Sequence, residues 1–202
     1  MDDIVKQAMA KWPDVPHCYG WLALDARGNW RMRDERAQHL GEPGDKLNNA
    51  ALVGFINRNY QHDERGCWYF QNGPQRVYLN LEATPYVART DPAHGLVLHT
   101  AVPLPSVEHA FLTETGELIL QAGDIVAQLD DRDFAQVLEW LARDGKPLAD
   151  DALLAWLEDA QAPPLALRIG ERSVPVQHIA RADVAAHFGF IRLPQPAPDL
   201  KA

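Results

Sequence analysis

Four times along this chain, two short runs of alternating or continuous apolar residues flank a glycine-bearing turn, and that pattern constrains the fold more than any other feature. Tyr19–Asp25 and Asn29–Arg33 surround Ala26-Arg27-Gly28, and Cys67–Gln71 and Arg76–Leu81 surround Asn72-Gly73-Pro74. Ala110–Thr113 and Glu117–Gln121 surround Glu114-Thr115-Gly116, and Leu165–Ile169 and Ser173–Ile179 surround Gly170-Glu171. Alternation at period two with a residue that tolerates positive φ between the runs is the signature of a β-hairpin. Val77, Leu79 and Leu81 alternate with Tyr78, Asn80 and Glu82, so one face of that run is apolar and the other polar.

Segments of helical period lie between the hairpins. Ile4, Ala8 and Trp12, with Val5 and Met9 beside them, form an apolar stripe over Asp2–Lys11, and Pro13 and Pro16 end it. Leu52, Phe55, Ile56 and Asn59 predict a helix from about Lys46 to Tyr60 with Asp45 at its N-terminus. Phe134, Val137, Leu138 and Leu141 predict another from Asp131 to about Ala142, closed by Gly145. Leu153, Trp156, Leu157 and Ala160 predict a third over 149–159, and a short one is expected near 183–188. Tyr86-Val87-Ala88 is expected to be extended.

The fold class expected is therefore α+β: two related hairpin-helix-hairpin repeats, with mostly antiparallel sheets packed against helices. Gly28 and Gly73 are 45 residues apart and Gly116 and Gly170 are 54 apart, a difference that one additional short helix in the second half absorbs. Ala101-Val-Pro-Leu-Pro105 is the expected boundary, because two prolines in five residues favour an extended connector. The expected units are an N-terminal repeat over 1–100, a C-terminal repeat over 106–192 and a proline-rich tail over 193–202.

The order Gly28-Asn29-Trp30, a helix reaching Leu52-Val53-Gly54-Phe55, Gly66-Cys67-Trp68-Tyr69-Phe70 and Leu79-Asn-Leu-Glu-Ala-Thr-Pro-Tyr-Val-Ala88 resembles an uncharacterised proteobacterial family of unknown function. The resemblance covers mainly residues 17–90. It implies two related α+β repeats and a role in signal transduction, and it carries over no catalytic residue. The aspartate-rich stretch after Gly123 lies outside it.

Composition narrows the function classes. The 202 residues are 47% hydrophobic and 23% charged, enough for a sizeable core and unlike a disordered chain. The net charge of −9 is unevenly placed: residues 1–90 carry 11 Lys+Arg and 11 Asp+Glu, whereas 91–202 carry 8 and 17. Between Glu114 and Asp159 there are 12 acids and 3 bases, a surface that repels a polyanion, so nucleic acid is a poor partner. No apolar run is long enough for a membrane span. The opening Met-Asp-Asp-Ile-Val-Lys lacks the positive start of a secretory signal. With only Cys18 and Cys67, in no paired spacing, these features indicate reduced thiols and a cytoplasmic location.

Motifs for covalent or cofactor chemistry are not recognised. Ser106 and Ser173 lie in no Gly-x-Ser-x-Gly elbow, and there is no dinucleotide or phosphate-loop glycine pattern, so no cofactor is expected. Histidines 17, 39, 62, 94, 99, 109, 178 and 187 include no His-Glu-x-x-His pair, although His94, His99 and His109 are spaced so that they could converge. Asp124, Asp130, Asp131 and Asp133 are the densest set of hard oxygen donors. They fail the calcium-loop spacing, and a capped helix start explains the same residues. On the polar side of the first half, Arg31, Arg33, Arg36 and Arg76 with Tyr78 form a candidate surface for a small anionic ligand or an acidic protein partner. A solvated sheet face gives the same alternation. The basic first half and acidic second half would also suit an intramolecular contact or a homodimer. The reading preferred is a non-catalytic regulatory, ligand-binding or protein-interaction module, with a metal-dependent enzyme built on the Asp124–Asp133 cluster as the alternative.

Overall fold

The computed structural model describes residues 1–148, 150–159 and 161–196. The chain divides into two compact units, one made of residues 1–85 with the segment from Gly189 onward, the other of Tyr86–Phe188. The 101–105 connector is therefore not the boundary: it lies inside the second unit, where Pro103 bridges Val97 and Leu104 N donates to Leu96 O. Proline excludes a helix there without excluding a pairing at a sheet edge.

The first unit runs α1 (Asp3–Lys11), β1 (Cys18–Leu24), β2 (Trp30–Met32), α2 (Glu35–Leu40), β3 (Asp45–Lys46), α3 (Ala50–Arg58), β4 (Tyr60–His62), β5 (Trp68–Asn72) and β6 (Gln75–Leu81). The strands form one sheet in the order β3-β2-β1-β6-β5-β4, antiparallel throughout except for β1 beside β6. Leu22, Leu24, Trp30, Phe70, Leu79 and Leu81 are buried on one face, and Phe55 of α3 meets Phe70 edge-on at 5.4 Å. Full burial of each such side chain contributes about 1.5–3 kcal/mol.

The helix expected from Lys46 to Tyr60 is shorter, because Asp45 and Lys46 pair with Met32 and Arg31 as β3. Asn49, not Asp45, caps α3, its Oδ1 accepting from Leu52 N at 3.0 Å. The helix α2, unforeseen from periodicity, is only six residues long and starts where Asp34 accepts from Ala37 N at 2.7 Å.

Turn chemistry explains the hairpins. Asp25 Oδ1 accepts from the amides of Arg27 and Asn29 at 3.0 and 2.8 Å while Gly28 N donates to Asp25 O, and φ at Gly28 is +74°. Asp63 repeats the arrangement with Arg65, Cys67 and Gly66. A tight turn closed by a left-handed residue is the usual three-residue hairpin link, and an Asp at its head satisfies the amides the turn leaves open.

The second unit runs β7 (Tyr86–Asp91), β8 (Gly95–Leu98), β9 (His109–Leu112), β10 (Leu118–Ala122), β11 (Ile125–Leu129), a 3-10 turn (Asp131–Asp133), α4 (Phe134–Leu138), β12 (Leu141–Arg143), β13 (Lys146–Pro147), α5 (Asp150–Glu158), β14 (Leu165–Ile169), β15 (Arg172–His178) and α6 (Val184–His187). Its nine strands are ordered β13-β12-β14-β15-β9-β10-β11-β7-β8, with parallel pairs only at β15/β9 and β11/β7. Leu112, Leu120, Leu141, Trp156, Leu165 and Leu167 fill the core. The helix predicted over Asp131–Ala142 stops at Leu138, and Leu141 and Ala142 are paired with Leu167 and Ala166. Asp144 and Gly145, at φ +52° and +76°, make a two-residue hairpin turn rather than a helix end. Ala149 and Ala160, which the third predicted helix included, lie outside the described residues, as does the tail beyond 196.

Six strands of the second unit repeat the order of the first. Taking β9, β10, β11, β12, β14 and β15 as first to sixth, each sheet reads third, second, first, sixth, fifth, fourth. The registers coincide: Leu24 faces Trp30 and Leu81, and Leu112 faces Leu118 and His178. Phe70 faces Val77, and Leu167 faces Val174. No helix of the described residues is long and apolar enough to cross a membrane.

Candidate functional site

The polar face of the first unit's sheet gathers most of the arginines and tyrosines singled out by alternation, but it sorts them into two places. Arg31 and Arg33 sit at one end and are both committed. Arg31 Nε donates to Asp25 at 2.9 Å and its Nη1 to Gly44 O. Arg33 donates to the carbonyls of Glu42, Gly20 and Ala37, the last near the C-terminus of α2. Burial works against the Asp25 charge, yet the bonds from Asn29, Arg31 and Arg27 outweigh it and hold the carboxyl below its ordinary value. Arg36 is exposed and lies 3.9 Å from Glu42.

Arg76 and Tyr78, two residues apart on β6, belong to a second group. The register of β1 against β6 slips between Cys18 and Leu22, at Gly20 with φ +79°, and Tyr19 stacks on Tyr78 at 4.6 Å with an interplanar angle of 4°. Tyr69, opposite Tyr78 on β5, lies 5.4 Å away, and His17 meets the Tyr78 ring edge-on at 5.8 Å. The Tyr78 hydroxyl donates to Asp63 Oδ2 at 3.0 Å, and Arg65 grips the same carboxylate through Nε and Nη2 at 3.1 and 3.0 Å. Arg76 lies over the Tyr69 ring at 4.6 Å. Among the described residues it makes no ion pair with a carboxylate; it bonds to Tyr78 and feels the Asp63 charge, so Arg65 and Arg76 together set two positive charges against that one carboxylate.

The group is electrostatically strained in a coherent way. Burial pushes the Tyr69 and Tyr78 hydroxyls up, and for Tyr78 the adjacent Asp63 charge adds to this. Burial and then the charges of Arg76 and Arg65 push His17 down, which favours the neutral ring. Asp63 is held low despite burial by the Cys67 amide, Tyr78 and Arg65. Such a concentration of shifted groups marks a functional-site candidate. Gln71, 1% exposed and paired in register with Arg76, donates to Gly73 O and Gln75 O, and its Oε1 has no partner among the described residues. Neither Asp63, Arg65, Tyr19, Tyr69 nor His17 was singled out from the sequence; the repeated Asp-x-x-Gly at 25–28 and 63–66 was the available signal.

Three of the four aspartates of the second unit, Asp130, Asp131 and Asp133, gather around Arg132 rather than around a vacant cation position. Asp130, 1% exposed, accepts from Arg132 N, Nε and Nη2 and from Arg89 Nε at 3.2 Å. Burial is outweighed by the Arg132 bonds, and its carboxyl is lowered to about 2. Asp133 accepts from Thr90 N at 2.7 Å, Asp131 opens the 3-10 turn, and Asp124 lies in the β10–β11 turn. Asp130 rather than Asp131 caps this turn. His94 sits on Asp91, His99 Nδ1 accepts from Val87 N, and His109 packs near Phe111. Among the described residues, no three or more His, Cys, Asp or Glu side chains are arranged to hold a metal ion. Both cysteines are free, and burial raises the Cys67 thiol.

A family model, DUF2944, described as "Protein of unknown function (DUF2946)", matches residues 1–195. The chain belongs to DUF2944. No curated protein matches it. Two solved structures are similar to this DUF2944 chain, each at 14% identity. A DUF1285 family protein from Silicibacter pomeroyi DSS-3 covers 81% of this chain and 84% of its own, with a TM-score of 0.47. A DUF1285 family protein from Shewanella baltica OS155 covers 57% of this chain and 88% of its own, with a TM-score of 0.40. Neither the family description nor these neighbours assigns a function or points to an enzyme.

Proposed function

We propose that this DUF2944 protein is a non-catalytic ligand-binding module of bacterial signal transduction, built from two copies of one α+β unit, with its anion site in the first copy at Arg76 and Tyr78. The carrying observation is Arg76: a half-buried guanidinium held over Tyr69 with no carboxylate partner among the described residues. A planar cation kept partly out of water, and sharing the single Asp63 carboxylate's field with Arg65, is suited to a small oxyanion, which supplies the missing second negative charge and the fork-matching oxygens.

Shared strand order and coincident registers support the duplication, and they also support confining the site to one copy. By register, the positions of Arg76 and Tyr78 on β6 correspond to Ser173 and Pro175 on β15. Duplication followed by divergence leaves one unit with a binding chemistry the other lacks.

Binding rather than turnover is favoured by the titration of the candidate groups. Asp25, Asp63 and Asp130 are all held below their ordinary range and are saturated with donors, so none is poised as a base near neutral pH. The Cys67 thiol is pushed the opposite way from an activated nucleophile. Free cysteines also suit a reducing, cytoplasmic setting.

The test is a titration with inorganic phosphate followed by NMR. Shifts at Tyr69, Tyr78 and His17 in the wild type that vanish in Arg76→Gln are the expected result. The absence of shifts in the wild type, or identical shifts in a folded Arg76→Gln, would overturn the assignment.

A further inference from the structure

A second place on the same sheet face has different chemistry. A cavity of about 530 Å³ opens in the first unit between the ends of β1 and β6, the arginines of β2, the Gly41–Pro43 turn and the returning Arg192–Leu193. That is within the size range of ordinary small-molecule sites, about 300–1,000 Å³. Its walls carry three guanidiniums, from Arg31, Arg33 and Arg192, and three carboxylates, from Asp25, Glu42 and Glu82. A simple anion gains no net attraction there, whereas a ligand bearing both signs does.

Most of those charges are spent. Asp25 accepts from three donor residues, Arg33 donates to three carbonyls, and Arg192 donates to the carbonyls of Leu81 and Glu82. Three groups keep capacity. Arg31 uses Nε and Nη1, leaving Nη2. Glu82 takes the Ala26 amide on Oε2 at 3.0 Å, leaving Oε1. The Asn80 side chain makes no hydrogen bond among the described residues. These three are neighbours by construction. Arg31 and Asn80 flank Ala23 in one register row, and the small Ala23 leaves the floor between them open. Glu82, the first residue past the end of β6, lines the same cavity. Donors for a carboxylate therefore stand beside an acceptor for an ammonium. Pro43 and Leu193, the latter 61% exposed, supply apolar surface at the cavity.

We propose that this cavity binds a free α-amino acid with an aliphatic side chain, its carboxylate on Arg31 Nη2 and the Asn80 amide, its ammonium on Glu82 Oε1, and its side chain against Pro43 and Leu193. The site is separate from the anion site at Arg76, and the two stand or fall independently.

L-leucine is the probe, with isovalerate, which lacks the ammonium, and isoamylamine, which lacks the carboxylate, as single-charge controls. Calorimetry and NMR on the full chain are expected to show L-leucine binding with shifts at Asn80 and Glu82, and at least tenfold weaker binding of either control. Glu82→Gln should weaken leucine at least tenfold, and Asn80→Ala should weaken it several-fold. The second variant removes no bond within the protein, so it keeps the test valid if loss of the charge at Glu82 disturbs the turn at Ala26. Arg76→Gln should leave leucine binding unchanged. The proposal is overturned if leucine does not bind, if isovalerate binds as tightly, or if folded Asn80→Ala binds leucine like the wild type.

Discussion

Replacing Asp130 with asparagine tests the electrostatic reasoning most directly. In the folded protein this carboxylate is enclosed, accepts three bonds from Arg132 and one from Arg89, and titrates at about 2 instead of 3.8. A displacement approaching two pH units, at about 1.4 kcal/mol per unit, corresponds to roughly 2 kcal/mol of stability in the charged form. Water at Arg89 and Arg132, whose side chains are 38% and 55% exposed, keeps the effect below the ~3–5 kcal/mol of a fully buried pair. The amide keeps the shape but turns an NH₂ toward guanidinium donors, so we expect a loss of about 2 kcal/mol. The folded pKa is depressed, and the contribution is therefore complete above the unfolded value near 4 and disappears as pH falls through about 2. Urea unfolding followed by circular dichroism should show the full gap between wild type and Asp130→Asn at neutral pH and much less than half of it at pH ~2. A gap below about 0.5 kcal/mol at neutral pH, or one that does not shrink in acid, would refute the argument.

The turn glycines and His17 give two further predictions. Gly66→Ala forces a left-handed residue at φ +75° and drives a Cβ into the Gly189 carbonyl oxygen, whereas Gly116→Ala at φ +88° meets nothing within 4 Å. Gly116→Ala should cost about 1–2 kcal/mol and Gly66→Ala clearly more; equal costs by thermal unfolding would remove the steric contact from the account. Burial and the charge of Arg76 both lower the His17 pKa, so Arg76→Gln should raise it, and an unchanged NMR titration would show that the two groups do not share a field.

The hairpins, the α+β class and the apolar face of the first sheet are legible in the chain alone, because period-two alternation and glycine turns are local properties. Asn72-Gly73-Pro74 and Gly170-Glu171 both close hairpins as their spacing requires. Tertiary structure decided what local pattern leaves open. Leu141 continues the helical spacing of Phe134, Val137 and Leu138, yet its partner Leu167 makes it a strand residue. The unit boundary was hidden for a related reason: the segment from Gly189 returns to the first unit through Ile191 beside Cys67 and Arg192 O accepting from Leu81 N. Alternation placed Arg31, Arg33, Arg76 and Tyr78 on one face, but only the folded chain separates Arg31, ion-paired with Asp25, and Arg33, bonded to carbonyls, from Arg76, which makes no ion pair among the described residues. Asp25 and four carbonyls engage the first two, Arg31 keeping its Nη2, and the Gly20 slip brings Tyr19 over Tyr78 beside Arg76. Charge compensation depends on groups far apart in the chain, and no spacing rule encodes it.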